Sequence, residues 1–213
     1  MRNYILKGGK VSIANVKKLI QQSYNPSLEN VNEYEIDKEL SGQRAKVYRK
    51  SGTNEAVVVH RGTKGLSDLT NDVKLALGLD ISNSNRVKHA KEVQQKAEQK
   101  YGSQNVSTVG HSLGSYVAST VGQNSKEIIN LNKAVVPRDV GKEISAKETN
   151  IRSRGDIISR LLPFQRNKGK VITVESSTRN PLKEHSTAVL NRLDENMMVG
   201  NGFLQIGGVL HKI

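Results

Sequence analysis

The chain has 213 residues, a length that corresponds to about one domain. With 35% apolar residues and a mean hydropathy of −0.54, no segment approaches the roughly 20 apolar residues of a membrane-spanning helix. The absence of cysteine excludes disulfides, thiolate metal sites and a cysteine nucleophile. The formal net charge of +13 predicts attraction to polyanions, which are either nucleic acid or an anionic membrane.

The aromatic content argues against nucleic acid. Trp is absent and Phe occurs only 2 times, so the basic residues lack interleaved stacking side chains. We therefore keep two interpretations of the charge, peripheral contact with an anionic membrane surface or a basic surface without a specific partner. Residues 1–10 are too interrupted by Lys and Gly to form the apolar centre of a signal peptide, so we expect no classical secretion. An intracellular, an unconventionally exported and a particle-associated protein all remain open.

Helix-like and strand-like segments alternate along the chain. Four segments carry apolar residues at helical spacing or resemble a short helix, namely 11–24, 86–101, 115–121 and 185–193. Five short apolar runs predict strands, namely 45–49, 55–60, 105–109, 131–136 and 170–175. The first two strands flank a turn at 51–53 and form a predicted hairpin. A sixth strand is expected before Asp156.

This alternation predicts an α/β fold with a mostly parallel central sheet and helices on both faces. We find no internal repeat and no low-complexity linker, and expect a single compact domain over 1–213. Residues 197–213 are apolar and Gly-rich without clear periodicity. Their role stays open between a tail that folds back on the domain and a tail that contacts a membrane.

The motif that carries chemistry is Gly110-His111-Ser112-Leu113-Gly114. It lies between a predicted strand and a predicted helix, where a G-x-S-x-G sequence forms the sharp turn of an α/β-hydrolase. That turn needs small neighbours, lifts the serine hydroxyl above the sheet edge and aims a helix N-terminus at the reacting oxygen. Ser112 is therefore the predicted nucleophile of a serine hydrolase.

A serine nucleophile requires a histidine base, which an acidic residue orients. In this fold the acid and then the histidine follow the serine in the chain. Only His185 and His211 follow Ser112, and His211 lies two residues from the chain end, where order is least expected. We predict His185 as the base. For the acid we prefer Asp156, directly after a predicted strand, over Asp139, which we interpret as a loop or helix-cap residue.

An oxyanion hole needs two backbone donors. The residue after the nucleophile, Leu113, supplies one predicted N–H. The buried strand at 55–60 runs into Arg61-Gly62-Thr63, a Gly turn suited to present the second N–H from Thr63.

With these residues, the chain resembles the class 3 lipases, the family of the fungal triacylglycerol lipases and several plant phospholipases A1. The resemblance spans about 45–186. It rests on four motifs in the family's order, namely Arg61-Gly62-Thr63 with Asp68 or Asp72 downstream, Gly110 to Gly114, Pro137-Arg138-Asp139-Val140-Gly141, and the segment from Asp156 to Pro163.

The resemblance implies Ser112, Asp156 and His185 as the catalytic triad, and Thr63 with Leu113 as the oxyanion pair. It also implies a lid over about Lys64 to Asp72, in which Leu66 and Leu69 stand in for the family's usual aromatic residue. The chain departs from the pattern at Ser115, where the family has Gly, and at His60, where it has an apolar residue.

We therefore predict a lipase or esterase that hydrolyses carboxylic ester bonds of acylglycerols or phospholipids through an acyl-enzyme intermediate. No cofactor and no metal are expected. The alternatives are a soluble carboxylesterase acting on small esters and a non-catalytic, basic membrane-binding module on a hydrolase scaffold. Acyl chain length, head-group preference, positional specificity and oligomeric state do not follow from the sequence.

Overall fold

A computed structural model describes residues 11–63, 84–135, 139–167, 169–193, 203–206 and 209–212 of the protein. The lid predicted over Lys64 to Asp72, with Leu66 and Leu69, lies outside these ranges, as do Pro137 and Arg138.

The described helices and strands alternate from the first helix onward. The α-helices are α1 (Ile13–Tyr24), α2 (Asn85–Tyr101), α3 (Leu113–Val121) and α4 (Pro181–Glu184). Short 3-10 helices cover Ser103–Asn105, Leu162–Phe164 and Thr187–Arg192. The strands are β1 (Tyr34–Ile36), β2 (Ala45–Lys50), β3 (Ala56–His60), β4 (Val106–His111), β5 (Glu127–Leu131), β6 (Glu143–Ile144), β7 (Glu148–Ser153), β8 (Arg166–Asn167), β9 (Lys170–Val174), β10 (Phe203–Ile206) and β11 (Val209–Lys212).

Seven strands form one sheet in the order β1-β2-β3-β4-β5-β7-β9. The strands from β3 to β9 pair in parallel, while β1, β2 and β3 pair antiparallel. The predicted hairpin is thus β2 and β3, and the predicted α/β class with a mostly parallel sheet is confirmed. Parallel strands place their carboxyl ends at one edge, and this edge collects the loops that carry the site residues.

Helices cover both faces of the sheet. Successive side chains of a strand point to opposite faces, so a strand of apolar residues such as β3 needs packing partners on each side. Val57 and Val59 of β3 pack with α1 in the larger apolar cluster. Val58, between them, packs on the other face against Val93 and Ala97 of α2. Fully buried valines in this run explain why β3 reads as a continuous apolar strand in the sequence.

Two predicted elements are wrong in detail. The strand predicted at 131–136 lies earlier, because β5 ends at Leu131 and Asn132 turns the chain with a φ of 48°. Ala134 and Val135 are buried outside the sheet, whereas β5 contains the buried polar Asn130, so hydropathy favoured the wrong segment. The helix predicted at 185–193 is not an α-helix. The short α-helix α4 ends just before it, at Glu184, and the 3-10 helix Thr187–Arg192 covers most of the predicted range.

The C-terminal segment contains β10 and β11, which pair with each other in antiparallel register. Among the residues that the structure describes, no helix has the length and apolar character to cross a membrane.

Candidate active site

Ser112 lies at the junction of β4 and α3, between the last strand residue and the first helical residue. Its backbone has φ 58° and ψ −127°, a conformation that residues with a side chain rarely adopt and that marks functional turns. The Ser112 N–H donates to the Leu131 carbonyl at 3.0 Å, and its side chain is almost completely buried. The strained turn predicted for the serine is therefore present.

Gly114 allows the turn to press against the neighbouring strand. A methyl group at this position would come within 2.1 Å of the His60 carbonyl oxygen and within 2.6 Å of the Arg61 carbonyl carbon. The backbone that follows β3 is thereby in direct contact with the start of α3. This contact brings the predicted oxyanion segment close to Ser112.

The structure brings Asp156 and His185 together. The Nδ1 atom of His185 lies 2.8 Å from Asp156 Oδ1, and both side chains are at most 3% exposed. Asp156 also accepts hydrogen bonds from the backbone N–H groups of Ile158 (3.0 Å) and Ser159 (3.1 Å). Since Nδ1 faces a carboxylate, it carries the ring proton in neutral His185, and Nε2 presents a lone pair.

The hydroxyl of Ser112 and the second ring nitrogen of His185 lie in similar surroundings. Ser112 Oγ and His185 Nε2 are both buried, and neither forms a hydrogen bond within the described part of the chain. Asp139, the alternative acid, instead lies 2.6 Å from Lys142 Nζ. The other histidine considered, His211, belongs to β11.

His185 follows a segment that Glu184 holds in place. Glu184 is fully buried and accepts hydrogen bonds from the N–H groups of Ser177 and Thr178, each at 2.9 Å, and from the Ser153 hydroxyl. It also lies 2.8 Å from a guanidinium nitrogen of Arg192. Burial alone raises the pKa of the carboxyl, but these donors, with Ser153 and Arg192 foremost, outweigh burial and lower the pKa of Glu184 to about 2.

Asn132 connects this segment to the sheet. Its side-chain amide donates to the Glu184 carbonyl at 3.0 Å and accepts from the Ser153 N–H at 3.0 Å. The backbone just before the predicted base is thus joined to the ends of β5 and β7.

His111, the second residue of the serine motif, contacts His185 directly. Its Nε2 lies 2.9 Å from the His185 carbonyl, and its Nδ1 lies 2.7 Å from the Tyr24 hydroxyl. The two imidazole rings are 5.2 Å apart between centroids. Burial, helped by the nearby His185, lowers the pKa of His111 to about 3, so the ring is neutral at ordinary pH.

The predicted oxyanion segment runs beside Ser112. A methyl group on Gly62 would lie 2.8 Å from Ser112 Cβ and 2.9 Å from the His111 carbonyl oxygen, so this close approach requires glycine. The Gly62 N–H donates to the Tyr24 hydroxyl at 2.9 Å. Half-buried Thr63 follows directly, and Leu113 opens α3, where the first backbone N–H groups have no partner within the helix.

Four residues that hold Ser112, Asp156, His185 and the neighbouring segments in place were not predicted from the sequence, namely Tyr24, His111, Asn132 and Glu184. His111 and Glu184 stand next to predicted site residues, so their position offered a signal. Tyr24 and Asn132 offered none, because their contacts join segments far apart in the chain. Within the described ranges, no group of three or more metal-ligating side chains gathers around a common point.

Residues 17–144 match the model of the phospholipase-like family described as the Tle-like phospholipase domain. No curated protein is significantly similar to the sequence.

Several solved structures are similar at low identity. A triacylglycerol lipase from Penicillium expansum is 18% identical, with a TM-score of 0.48 over 76% of this chain and 77% of that one. The Rhizomucor miehei lipase in its propeptide complex is 12% identical, with a TM-score of 0.46 over 89% and 81%. A carboxylesterase from Mesorhizobium loti is 9% identical, with a TM-score of 0.43 over 70% and 94%.

Proposed function

The chain belongs to the phospholipase-like family of Tle-like phospholipase domains, and from this premise we propose that it is a serine hydrolase that cleaves carboxylic ester bonds of phospholipids. The family match covers more than half of the chain and supports ester hydrolysis. The class 3 lipase resemblance drawn from the motifs stays a prediction, as does acylglycerol as a second lipid substrate.

One observation carries the proposal. The buried contact of 2.8 Å between His185 Nδ1 and Asp156 Oδ1 leaves Nε2 of the same ring unpaired within the described part of the chain, at the sheet edge where Ser112 adopts its strained turn. A base, its orienting acid and a serine in such a turn are the components of acyl transfer by a hydroxyl nucleophile.

The proposed reaction has two steps. His185 Nε2 takes the Ser112 proton while Ser112 Oγ attacks the ester carbonyl, and the N–H groups of Thr63 and Leu113 stabilise the oxyanion. His185 then returns the proton to the departing alcohol as the carbon–oxygen bond breaks, which leaves an acyl-enzyme. In the second step His185 deprotonates water, the resulting hydroxide attacks the acyl carbonyl, and the fatty acid departs as Ser112 regains its proton. Asp156 fixes the imidazole tautomer and stabilises its cation.

Replacement of the nucleophile tests the proposal. We expect Ser112→Ala to lower the rate of fatty-acid release from phospholipid vesicles by at least about 10³-fold, because the general base then has no hydroxyl to activate. Ser115→Ala is the matched control, since Ser115 is a fully buried serine of α3 whose hydroxyl donates to the Leu131 carbonyl at 3.2 Å. Equal activity in the two variants would contradict the proposal.

The net charge of +13 supports contact with an anionic bilayer. Each basic residue near such a surface adds about 1 kcal/mol of attraction, and salt weakens it. We expect the wild-type protein to sediment with phosphatidylglycerol-containing vesicles at low salt and to be released as the salt concentration rises. Binding that is indifferent to both anionic lipid content and salt would remove the membrane part of the proposal.

A further inference from the structure

We propose that Tyr24 and His111 are positioning residues that join the oxyanion segment 61–63 to the base His185 through one continuous chain of hydrogen bonds. The inference rests on the proposed function, since it assigns a purpose to contacts around that site. Three bonds form the chain, from Gly62 N–H to Tyr24 Oη (2.9 Å), from Tyr24 Oη to His111 Nδ1 (2.7 Å), and from His111 Nε2 to the His185 carbonyl (2.9 Å).

The chemistry of the end groups fixes the direction of every bond. A carbonyl oxygen only accepts, so His111 Nε2 must carry a hydrogen to bind the His185 carbonyl. In the neutral ring Nδ1 then has a lone pair and accepts the hydrogen of the Tyr24 hydroxyl. The Tyr24 oxygen, having donated, accepts from the Gly62 N–H.

Burial keeps both members in the protonation state that this direction requires. His111 is 7% exposed, and burial lowers its pKa to about 3. Burial likewise raises the pKa of the Tyr24 hydroxyl to about 12, against the opposing influence of Gly62, Arg86 and Arg61. A neutral imidazole and an intact phenol are therefore maintained across the pH range in which a histidine base works.

The chain of hydrogen bonds ends at the two places where acyl transfer is sensitive to position. Gly62 precedes Thr63, whose N–H is the proposed oxyanion donor, and the His185 carbonyl belongs to the residue that carries the base. Displacement of a reacting group by about 1 Å can lower a rate by about 10²-fold. Removal of the central hydroxyl would break the bonds to the Gly62 N–H and to His111 Nδ1, so the oxyanion segment would lose its connection to the bond between His111 and the His185 carbonyl.

Tyr24→Phe removes only that hydroxyl. With p-nitrophenyl butanoate as the substrate, we expect kcat to fall about 10- to 100-fold while KM changes by less than about two-fold, because the hydroxyl holds groups that act in the transition state rather than in substrate binding. Tyr48→Phe is the matched control, since Tyr48 is fully buried and its hydroxyl makes no hydrogen bond within the described residues. A kcat of Tyr24→Phe within two-fold of the control overturns the proposal.

A second pair of variants tests the His111 end, and serves also if Tyr24→Phe does not fold. The side-chain amide of His111→Gln can donate to the His185 carbonyl, whereas His111→Leu cannot. We expect Gln to retain at least about ten-fold more kcat than Leu at similar thermal stability. Equal kcat values overturn the proposal. A folded wild type that hydrolyses no ester overturns the proposed function, whereas an active wild type with unaffected variants overturns this inference alone.

Discussion

Two aspartates lie between Ser112 and His185 in the chain, and their surroundings separate them. Asp156 is 1% exposed and binds His185 and two backbone N–H groups, which fixes its carboxylate on both oxygens. Asp139 pairs with Lys142, three residues along the chain. The chain order of the predicted triad limited the candidates for its acidic residue to these two aspartates. The position of Asp156 directly after a predicted strand favoured it over Asp139.

Asp156→Asn and Asp139→Asn form a matched pair of variants. We expect Asp156→Asn to lower kcat by about 10³- to 10⁴-fold with little change in KM, because an amide donor facing Nδ1 imposes the wrong tautomer on His185. Asp139→Asn should stay within about two-fold of wild type. Steady-state kinetics on a soluble ester measure both, and a reversed order would reassign the acid.

Residues that act through long-range contacts could not be predicted from the sequence. Ser112, Asp156 and His185 follow from a local motif and from chain order. Tyr24 is 87 residues from His111 and binds it only because α1 packs across the sheet. In the sequence, Glu184 resembles an ordinary loop carboxylate. Only the structure shows that it binds Ser153, Ser177 and Arg192.

The elements around the site depend on close backbone approach at two glycines. Gly62 lies against the turn at Ser112, and Gly114 lies against the backbone at the end of β3. At both positions the neighbouring atoms leave no space for a side chain. The sequence indicated both through the Arg-Gly-Thr and G-x-S-x-G patterns. The strand predicted at 131–136 was placed too late in the chain, because hydropathy does not distinguish the strand β5 from the buried loop residues Ala134 and Val135.

Gly62→Ala tests the packing of the segment after β3. The added methyl group would come within 3.0 Å of Ser112, His111 and Tyr24, so we expect kcat/KM to fall at least about 10²-fold as the oxyanion segment shifts. Gly42→Ala is the control, because a methyl group there meets nothing within 4 Å. Similar kcat/KM values for both variants would show that the segment can shift without consequence.

For the molecule as a whole, alternation of strands and helices predicted the α/β class and the parallel sheet. The order of the strands and the antiparallel pairing of β1 with β2 could not be predicted, because hydropathy along the chain does not show which strands pair with each other.

The fold also buries His60 and His111, at 2% and 7% exposure. Burial lowers the pKa of His60 to about 4, with a further contribution from Arg86, and that of His111 to about 3.

These histidines make the folded state sensitive to acid. Between about pH 6.5 and pH 4 the unfolded chain protonates these histidines while the folded chain keeps them neutral, so the free energy of unfolding decreases as the pH is lowered. The two depressed pKa values correspond to a decrease of roughly 3 kcal/mol between pH 6.5 and pH 5. Glu184 adds to the decrease below its ordinary pKa of 4.5, because its folded-state pKa is lower.

Denaturant titrations at several pH values measure this decrease. His60→Gln should reduce the pH dependence between pH 6.5 and pH 5 by about half, since one of the two histidines remains. A free energy of unfolding that is constant between pH 7 and pH 5 would contradict the account of a neutral histidine core.

Covalent labelling of Ser112 tests directly whether this serine is an activated nucleophile. A fluorophosphonate reacts with a serine that a histidine base activates and an oxyanion hole supports, and leaves a stable phosphonyl adduct. Mass spectrometry of the labelled, folded protein should locate a single adduct on Ser112, formed much more slowly in Asp156→Asn. An adduct on another residue, or none on the folded wild-type chain, would contradict the assignment of Ser112, His185 and Asp156.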